Sequence, residues 1–397
     1  MGRFTGTTAR GLIAPIVRKG DDIVAIAVNT LLAAAEGEGF TIKDKDVLAI
    51  TESIVARAQG NYATTEQIAA DTKKKFGDSP LALVFPILSR NRFSLCLEGI
   101  AKAGNKLTVM LSFPADEVGN HLMDPEIFNT VDINPRQDSF IAEEFKKRFG
   151  QYKHPFTGID YIEFFLSILH AYNKNSSVLI SNNLKAIVQH AETVIACDIH
   201  TREKTKRFLQ SYGVKKVYDL TALLNESVQG SGYNTKYGLL GSNKASDNSV
   251  KLFPNDCTEI VNAIQKQIKE KTGKTIEVMV YGDGAFKDPV GKIWELADPI
   301  VSPGFTSGLE GTPHELKLKY LADNTFADKS HEEQEKAIAE YIHKNKTQVA
   351  DDAAERQGTT PRRLTDLIGS LSDLTSGSGD KGTPIVYIQG YFDKFGE

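Results

Sequence analysis

The sequence is poor in cysteine: its 397 residues include three, Cys96, Cys197 and Cys257, far apart and without any CxxC spacing. That excludes a disulfide framework and a cysteine-built zinc site, and it leaves the three as small buried apolar residues. Nor is there an excess of positive charge. Lys and Arg number 47 against 51 Asp and Glu, a formal net charge of −4, so the broad basic surface that nucleic acid requires is absent and no such partner is expected. No apolar run approaches the roughly 18 residues of a spanning helix, and the start lacks the continuous apolar core of a signal peptide. A cytoplasmic protein with no membrane partner is the expectation. The middle of the chain lacks the GxGxxG of dinucleotide sites, no GxxxxGK[ST] of P-loops occurs, and there is no internal repeat.

What is present is an ordinary globular composition, 41% hydrophobic and 25% charged, in a chain long enough for two or three cores. In the first part, Asp21 and Asp22 precede a helix with Ile23, Ile26, Ala27 and Leu31 on one side, and Asp46 to Ile50 reads as a buried strand. Thr64 to Gln67 has capping-box spacing, and Leu107 to Leu111 reads as a strand ending in a polar stretch. The middle part has its own alternation: strands at Ser177–Ile180 and Thr193–Cys197 around a helix from Asn183 to His190, then a helix from Thr201 to Tyr212 and a strand at Lys216. This reads as an inserted Rossmann-like lobe with a packing or substrate-lid role. Further on, Asp256 caps a helix striped by Ile260, Val261, Ile264 and Ile268, and Gly273 stops it. A strand then runs from Thr275 to Tyr281. Near the end, Ser330 to Glu333 opens one helix and Thr360-Pro361 another, followed by a glycine-rich loop and a strand from Pro384.

Several residues could carry chemistry. Asp283 stands between Gly282 and Gly284 directly after a strand, where a carboxylate could meet a hard cation, although a plain turn explains the pattern equally well. Asp116 and Glu117 follow another strand, with Asn120 able to offer an amide. Aspartates from two strand ends suit a magnesium or manganese site beside phosphates, and the bland alternative is a solvated pair capping a turn. In the loop Thr375 to Gly382 successive backbone N–H groups could form an anion nest with Lys381 as a point charge, or the loop could be a simple connector. Arg57 is a phosphate candidate, and His314 a proton-transfer group without a visible partner. Cys197, Asp198 and His200 do not make a metal site, because an extended strand turns Cys197 and His200 to opposite sides.

Five separated stretches together resemble the coenzyme F₄₂₀:L-glutamate ligase family in its long bacterial form, also described as a folate-metabolism γ-glutamate ligase. Ala14, Pro15, Ile16 and Val17, followed by Gly20-Asp-Asp22, are similar to the family's opening nucleotide-contacting segment and its GDD. Asp46 to Gly60 resembles its DVLVV…SKAEG block and puts Glu52, Ser53 and Arg57 at nucleotide contacts, with arginine in place of lysine. Ala115 to Asn120 resembles the GIDASN turn, one residue longer, and Val280 to Asp283 the ITDT turn whose aspartate binds metal. Ser376, Gly377, Ser378, Gly379, Asp380, Lys381 and Gly382 are similar to the GEGGDG nucleotide loop. Ser378 replaces a glutamate of the second metal site and Gly284 a threonine ligand, so one metal is better supported than two.

The resemblance implies an α/β (α+β) class with a mixed-sheet γ-glutamyl ligase fold. Its catalytic domain would be discontinuous, residues 1–130 and 255–397, around an inserted α/β lobe at 131–254. It implies a ligase that activates an acceptor carboxylate as an acyl phosphate with GTP, or ATP, and joins it to L-glutamate in a γ-glutamyl-type amide. Mg²⁺ or Mn²⁺ would sit on Asp116 and Asp283, with K⁺ as a further candidate ion, and short members suggest a homodimer. The acceptor is open. The alternative from another class is a nucleotide-binding regulator or scaffold that kept the fold and lost ligation.

Overall fold

The computed structural model describes residues 5–155, 157–282, 285–287, 294–296, 303–313, 316–344, 363–376 and 381–393. Asp283, Gly284, His314, the Thr360-Pro361 helix start, and Gly377, Ser378, Gly379 and Asp380 lie outside the described residues.

The chain opens with β1 (Thr8–Leu12) and α1 (Ile23–Glu38). Asp22 caps α1 by accepting from the Ala25 N–H at 3.0 Å, and Gly39 ends it in the left-handed conformation glycine adopts without strain. Between the caps Ile23, Ala27, Val28 and Leu31 are buried. β2 (Val47–Thr51) passes directly into α2 (Glu52–Gln59). Next come β3 (Tyr62–Thr64) and α3 (Thr65–Phe76), joined by the expected capping box: Gln67 N donates to Thr64 Oγ1 at 3.3 Å and Thr64 N to Gln67 Oε1 at 2.9 Å. The chain continues through β4 (Leu81–Val84), α4 (Ser94–Lys102), β5 (Leu107–Leu111), β6 (Ser139–Ile141), α5 (Ala142–Phe149) and α6 (Tyr161–Tyr172). β7 (Ser177–Ser181), β8 (Thr193–Ala196), α7 (Arg202–Ser211), β9 (Lys216–Asp219), β10 (Asn243–Lys244) and β11 (Ser249–Lys251) follow. The last part comprises α8 (Cys257–Thr272), β12 (Glu277–Tyr281), β13 (Ala285–Lys287), β14 (Trp294–Leu296), β15 (Gly304–Phe305), the single turn α9 (Leu318–Tyr320), α10 (His331–Lys344), α11 (Leu364–Ser376) and β16 (Ile385–Gln389).

Two sheets organise these elements. The first has the order β1-β16-β2-β12-β15; β2 and β12 are parallel and the other pairs antiparallel. α1 and α8 cover one face, where Leu31, Leu48, Val261, Ile264, Val278 and Tyr387 share a core. Ile368 of α11 packs on the other with Val47, Met279 and Val386. The expected stripe of α8 is realised, with Val261, Ile264 and Ile268 buried, but Asp256 makes no side-chain cap and instead takes a left-handed backbone.

The second sheet has the order β6-β7-β5-β4-β8-β9, and all its pairs except β6–β7 are parallel. In chain order its parallel strands read third, second, first, fourth, fifth, the doubly wound arrangement. Both faces of β4 and β5 are covered, as a parallel sheet requires: α4 and α6 lie over one side, and α7 with the turn Leu184–Ile187 over the other. The class is α/β as expected, but the boundary at residue 130 does not fall between sheets. β4 and β5 precede it and pair with β7 and β8 that follow it, so this sheet runs from residue 81 to 219. The expected helix from Asn183 to His190 is a single 3-10 turn with Asn183 as its cap, because residues 182–192 must cross from β7 past β5 and β4 to reach β8. A small sheet, β10-β11-β3, and the β13–β14 hairpin complete the described strands.

Candidate active site

Four of the motifs meet at one edge of the five-stranded sheet, and the strand register shows why. Leu12 pairs with Ile385, Ile385 with Ile50, and Ile50 with Val280, so these residues form a row across β1, β16, β2 and β12. Whatever leaves β1, β2 and β12 at their carboxyl ends, or enters β16 at its amino end, projects past that row. The segments there are Ala14–Val17, Thr51 with Glu52 and Ser53, Tyr281 with Gly282, and Lys381 to Pro384.

Backbone hydrogen bonds tie them together. Ala14 N donates to Gly382 O at 3.0 Å and Thr51 N to Pro384 O at 3.0 Å. Thr383 donates through Oγ1 to Ser376 O at 2.9 Å, joining the end of α11 to the start of β16. Glu52, only 7% exposed, lies against β12: a Cβ on Gly282 would sit 2.6 Å from its Cγ, so glycine is required for the two strand ends to approach. Lys251 Nζ from β11 reaches Glu52 Oε1 at 2.8 Å. Tyr281, at the end of β12, is buried in the core that α11 forms on the sheet, and burial pushes its phenol up to about 12, with Asp373 adding to the shift. Of the opening segment, Val17 is buried whereas Ile16 is 79% exposed beside Pro15. Ser53 is exposed in the first turn of α2.

A family model described as F420-0:Gamma-glutamyl ligase matches residues 11–390. The chain belongs to that family. No curated protein matches it. The γ-glutamyl ligase family therefore spans both sheets of this chain, and the candidate residues divide between them.

Arg57 is not with the others. It lies in the last turn of α2, exposed, five residues or about 7.5 Å along the axis from Glu52, where its charge complements the helix carboxyl end. Asp116 and Asn120 belong to the six-stranded sheet, in the turn after β5. The Asp116 carboxylate is 8% exposed, with Oδ1 accepting from Val118 N at 3.0 Å and Asn120 N at 2.8 Å. Its Oδ2 accepts from Leu88 N at 2.7 Å and Asn120 Nδ2 at 2.8 Å. Those four bonds fill the four lone-pair directions of a carboxylate, and the Asn120 amide is committed to Asp116. Burial nevertheless raises the Asp116 pKa, because the bonds recover only part of the lost hydration. Glu117 likewise accepts from the N–H groups of Ile199 and His200, and burial raises it too. These carboxylates knit the carboxyl ends of β4, β5 and β8 together. Lys251 and Tyr281 are additions to the site that sequence reading missed. Lys251 sits in a short polar strand with no motif, and Tyr281 is hidden as the last residue of an apolar run.

Proposed function

We propose that the chain forms a γ-glutamyl-type amide between L-glutamate and the carboxylate of an acceptor at this edge of the five-stranded sheet, consuming GTP or ATP in the presence of Mg²⁺ or Mn²⁺. The observation that carries the reading is the convergence of the Ala14, Glu52, Gly282 and Gly382 segments, which come from both ends of the sequence, in a chain of the γ-glutamyl ligase family. The γ-phosphoryl group passes to the acceptor carboxylate, giving an acyl phosphate and the nucleoside diphosphate. The glutamate amine then attacks the carbonyl carbon, loses a proton and expels phosphate.

In this reading Pro15 and the exposed Ile16 offer an apolar face to the nucleoside. Ser53, Ser376 and the backbone of residues 377–382 donate to phosphate oxygens, and Lys381 adds a charge. Glu52 and Asp283, which follows Gly282 in sequence, would hold the metal. Two carboxylates are a fitting donor set, since Mg²⁺ or Mn²⁺ completes its shell with phosphate and water. Such an ion neutralises phosphate charge and keeps the reacting oxygens in line. Lys251 holds Glu52 in place. Asp116, with its lone pairs already taken, positions the loops of the other sheet instead of binding metal.

The test is to incubate the protein with GTP or ATP, manganese, L-glutamate and a panel of carboxylates. Acceptor-dependent release of nucleoside diphosphate is expected, and Asp283→Asn should lower it on the order of a thousandfold. Nucleotide binding without release for any carboxylate would favour the regulator alternative and overturn ligation.

A further inference from the structure

We propose that the cleft at the carboxyl end of the six-stranded sheet binds a small planar ring carrying an acid group, a site separate from the ligation edge. It lies where strand order reverses. β4 and β8 are adjacent, with Val84 paired to Ala196, yet α4 after β4 packs on one face and α7 after β8 on the other, which leaves a crevice between the departing chains. The cavity there measures about 360 Å³ and is lined by Phe85, Arg136, Thr201, Lys204, Phe208 and Tyr212, among others. That is near the lower end of the range for small-molecule pockets, room for one ring and a short arm.

Its lining specifies the ligand. Phe208 of α7 and Tyr212 at its carboxyl cap, four residues on, are 41% and 36% exposed with rings nearly parallel at 18°, leaving flat apolar faces in solvent. Lys204 Nζ stands 5.9 Å from the Phe208 ring and Lys185 Nζ 5.2 Å from that of Tyr212. Neither lysine, nor Arg136, has an ion-pair partner among the described residues. No carboxylate lines the cleft. Asp198, which follows β8, is buried and takes the Thr201 and Thr205 hydroxyls on Oδ2 at 2.6 and 2.7 Å, and its burial favours the uncharged acid. Unpaired cations beside exposed rings fit an aryl anion, whose ring stacks while its charge meets Lys204 and Arg136. A dinucleotide is excluded, because the first turn after β4 is Phe85-Pro86-Ile87. Phe85 fills the turn at φ 55° and Pro86 has no N–H, so no pyrophosphate cradle forms.

The experiment titrates the full chain calorimetrically with 4-aminobenzoate and phenyl phosphate, alongside benzamide as ring alone and inorganic phosphate as charge alone. One of the two ring acids is expected to bind at least about tenfold more tightly than either half, and which one tells carboxylate from phosphate. The double variant Arg136→Ala/Lys204→Ala and the single variant Phe208→Ala, all at exposed positions, should each weaken that binding about tenfold with the melting temperature unchanged. Wild-type affinity in both variants, or no binding of either ring acid at millimolar concentration, would overturn the proposal. Because the readout is direct binding, failure of ligation at the other sheet leaves this result untouched.

Discussion

The two sheets treat their carboxylates in opposite ways. At the five-stranded sheet, Glu52 pairs with Lys251 and is wedged against a glycine at the end of β12. At the six-stranded sheet, Asp116 and Glu117 are surrounded by backbone N–H groups that consume their acceptor capacity. A carboxylate facing a lysine ammonium on a flexible stem can exchange that contact for a cation or phosphate-bound metal. One held by three or four fixed amides cannot do so without leaving those amides unsatisfied, at about 1–3 kcal/mol each. Residue type after a strand therefore does not decide between catalysis and architecture; the identity of the donors around it does.

The largest expected effect separates the sheets directly. Glu52→Gln, at the proposed ligation edge, should lower metal-dependent turnover on the order of a hundredfold or more while the protein still folds; steady-state rates across a manganese titration measure it. Asp116→Asn should do the reverse. It places an NH₂ among N–H donors and should cost about 2 kcal/mol in urea unfolding while turnover and metal dependence stay within a few-fold of wild type. A loss of turnover there matching that of Glu52→Gln would erase the distinction.

A smaller effect comes from the far end of the six-stranded sheet, where Lys206 Nζ reaches Asp219 Oδ2 at 2.6 Å. Burial pulls the Asp219 pKa up, but Lys206 and the Thr221 donors outweigh it, and the carboxyl titrates below its ordinary value. With the folded pKa depressed, this stability is present above the unfolded value near ~3.9 and is lost as pH falls through the folded one. Asp219→Asn should thus cost about 1–2 kcal/mol at neutral pH, and thermal melts of variant and wild type should converge as the solution is acidified below about pH 3.

Much of the local structure was legible. The Thr64 capping box, the Val261-Ile264-Ile268 stripe and the strand at Leu107–Leu111 depend on neighbours within a few positions, and they formed as read. Sheet membership was not, since pairing β4 with β8 joins residues more than a hundred positions apart, and β5, read with the first part of the chain, pairs with β7 of the middle part. The same limit governs the site. The motif segments were visible, but Lys251 against Glu52 is a contact across 199 positions. The commitment of Asp116 rests partly on Leu88, whose N–H carries no sequence signal. The Asp116 carboxylate caps its turn from a buried position, not the solvated one considered from the sequence.

Hydrogen exchange with GTP and manganese tests the central claim most directly. Slowed exchange confined to the amides of residues 14–17, 51–55 and 381–385 is the expected result. Slowing at residues 113–120 and 85–89, with the five-stranded edge unchanged, would contradict it and move the nucleotide to the other sheet.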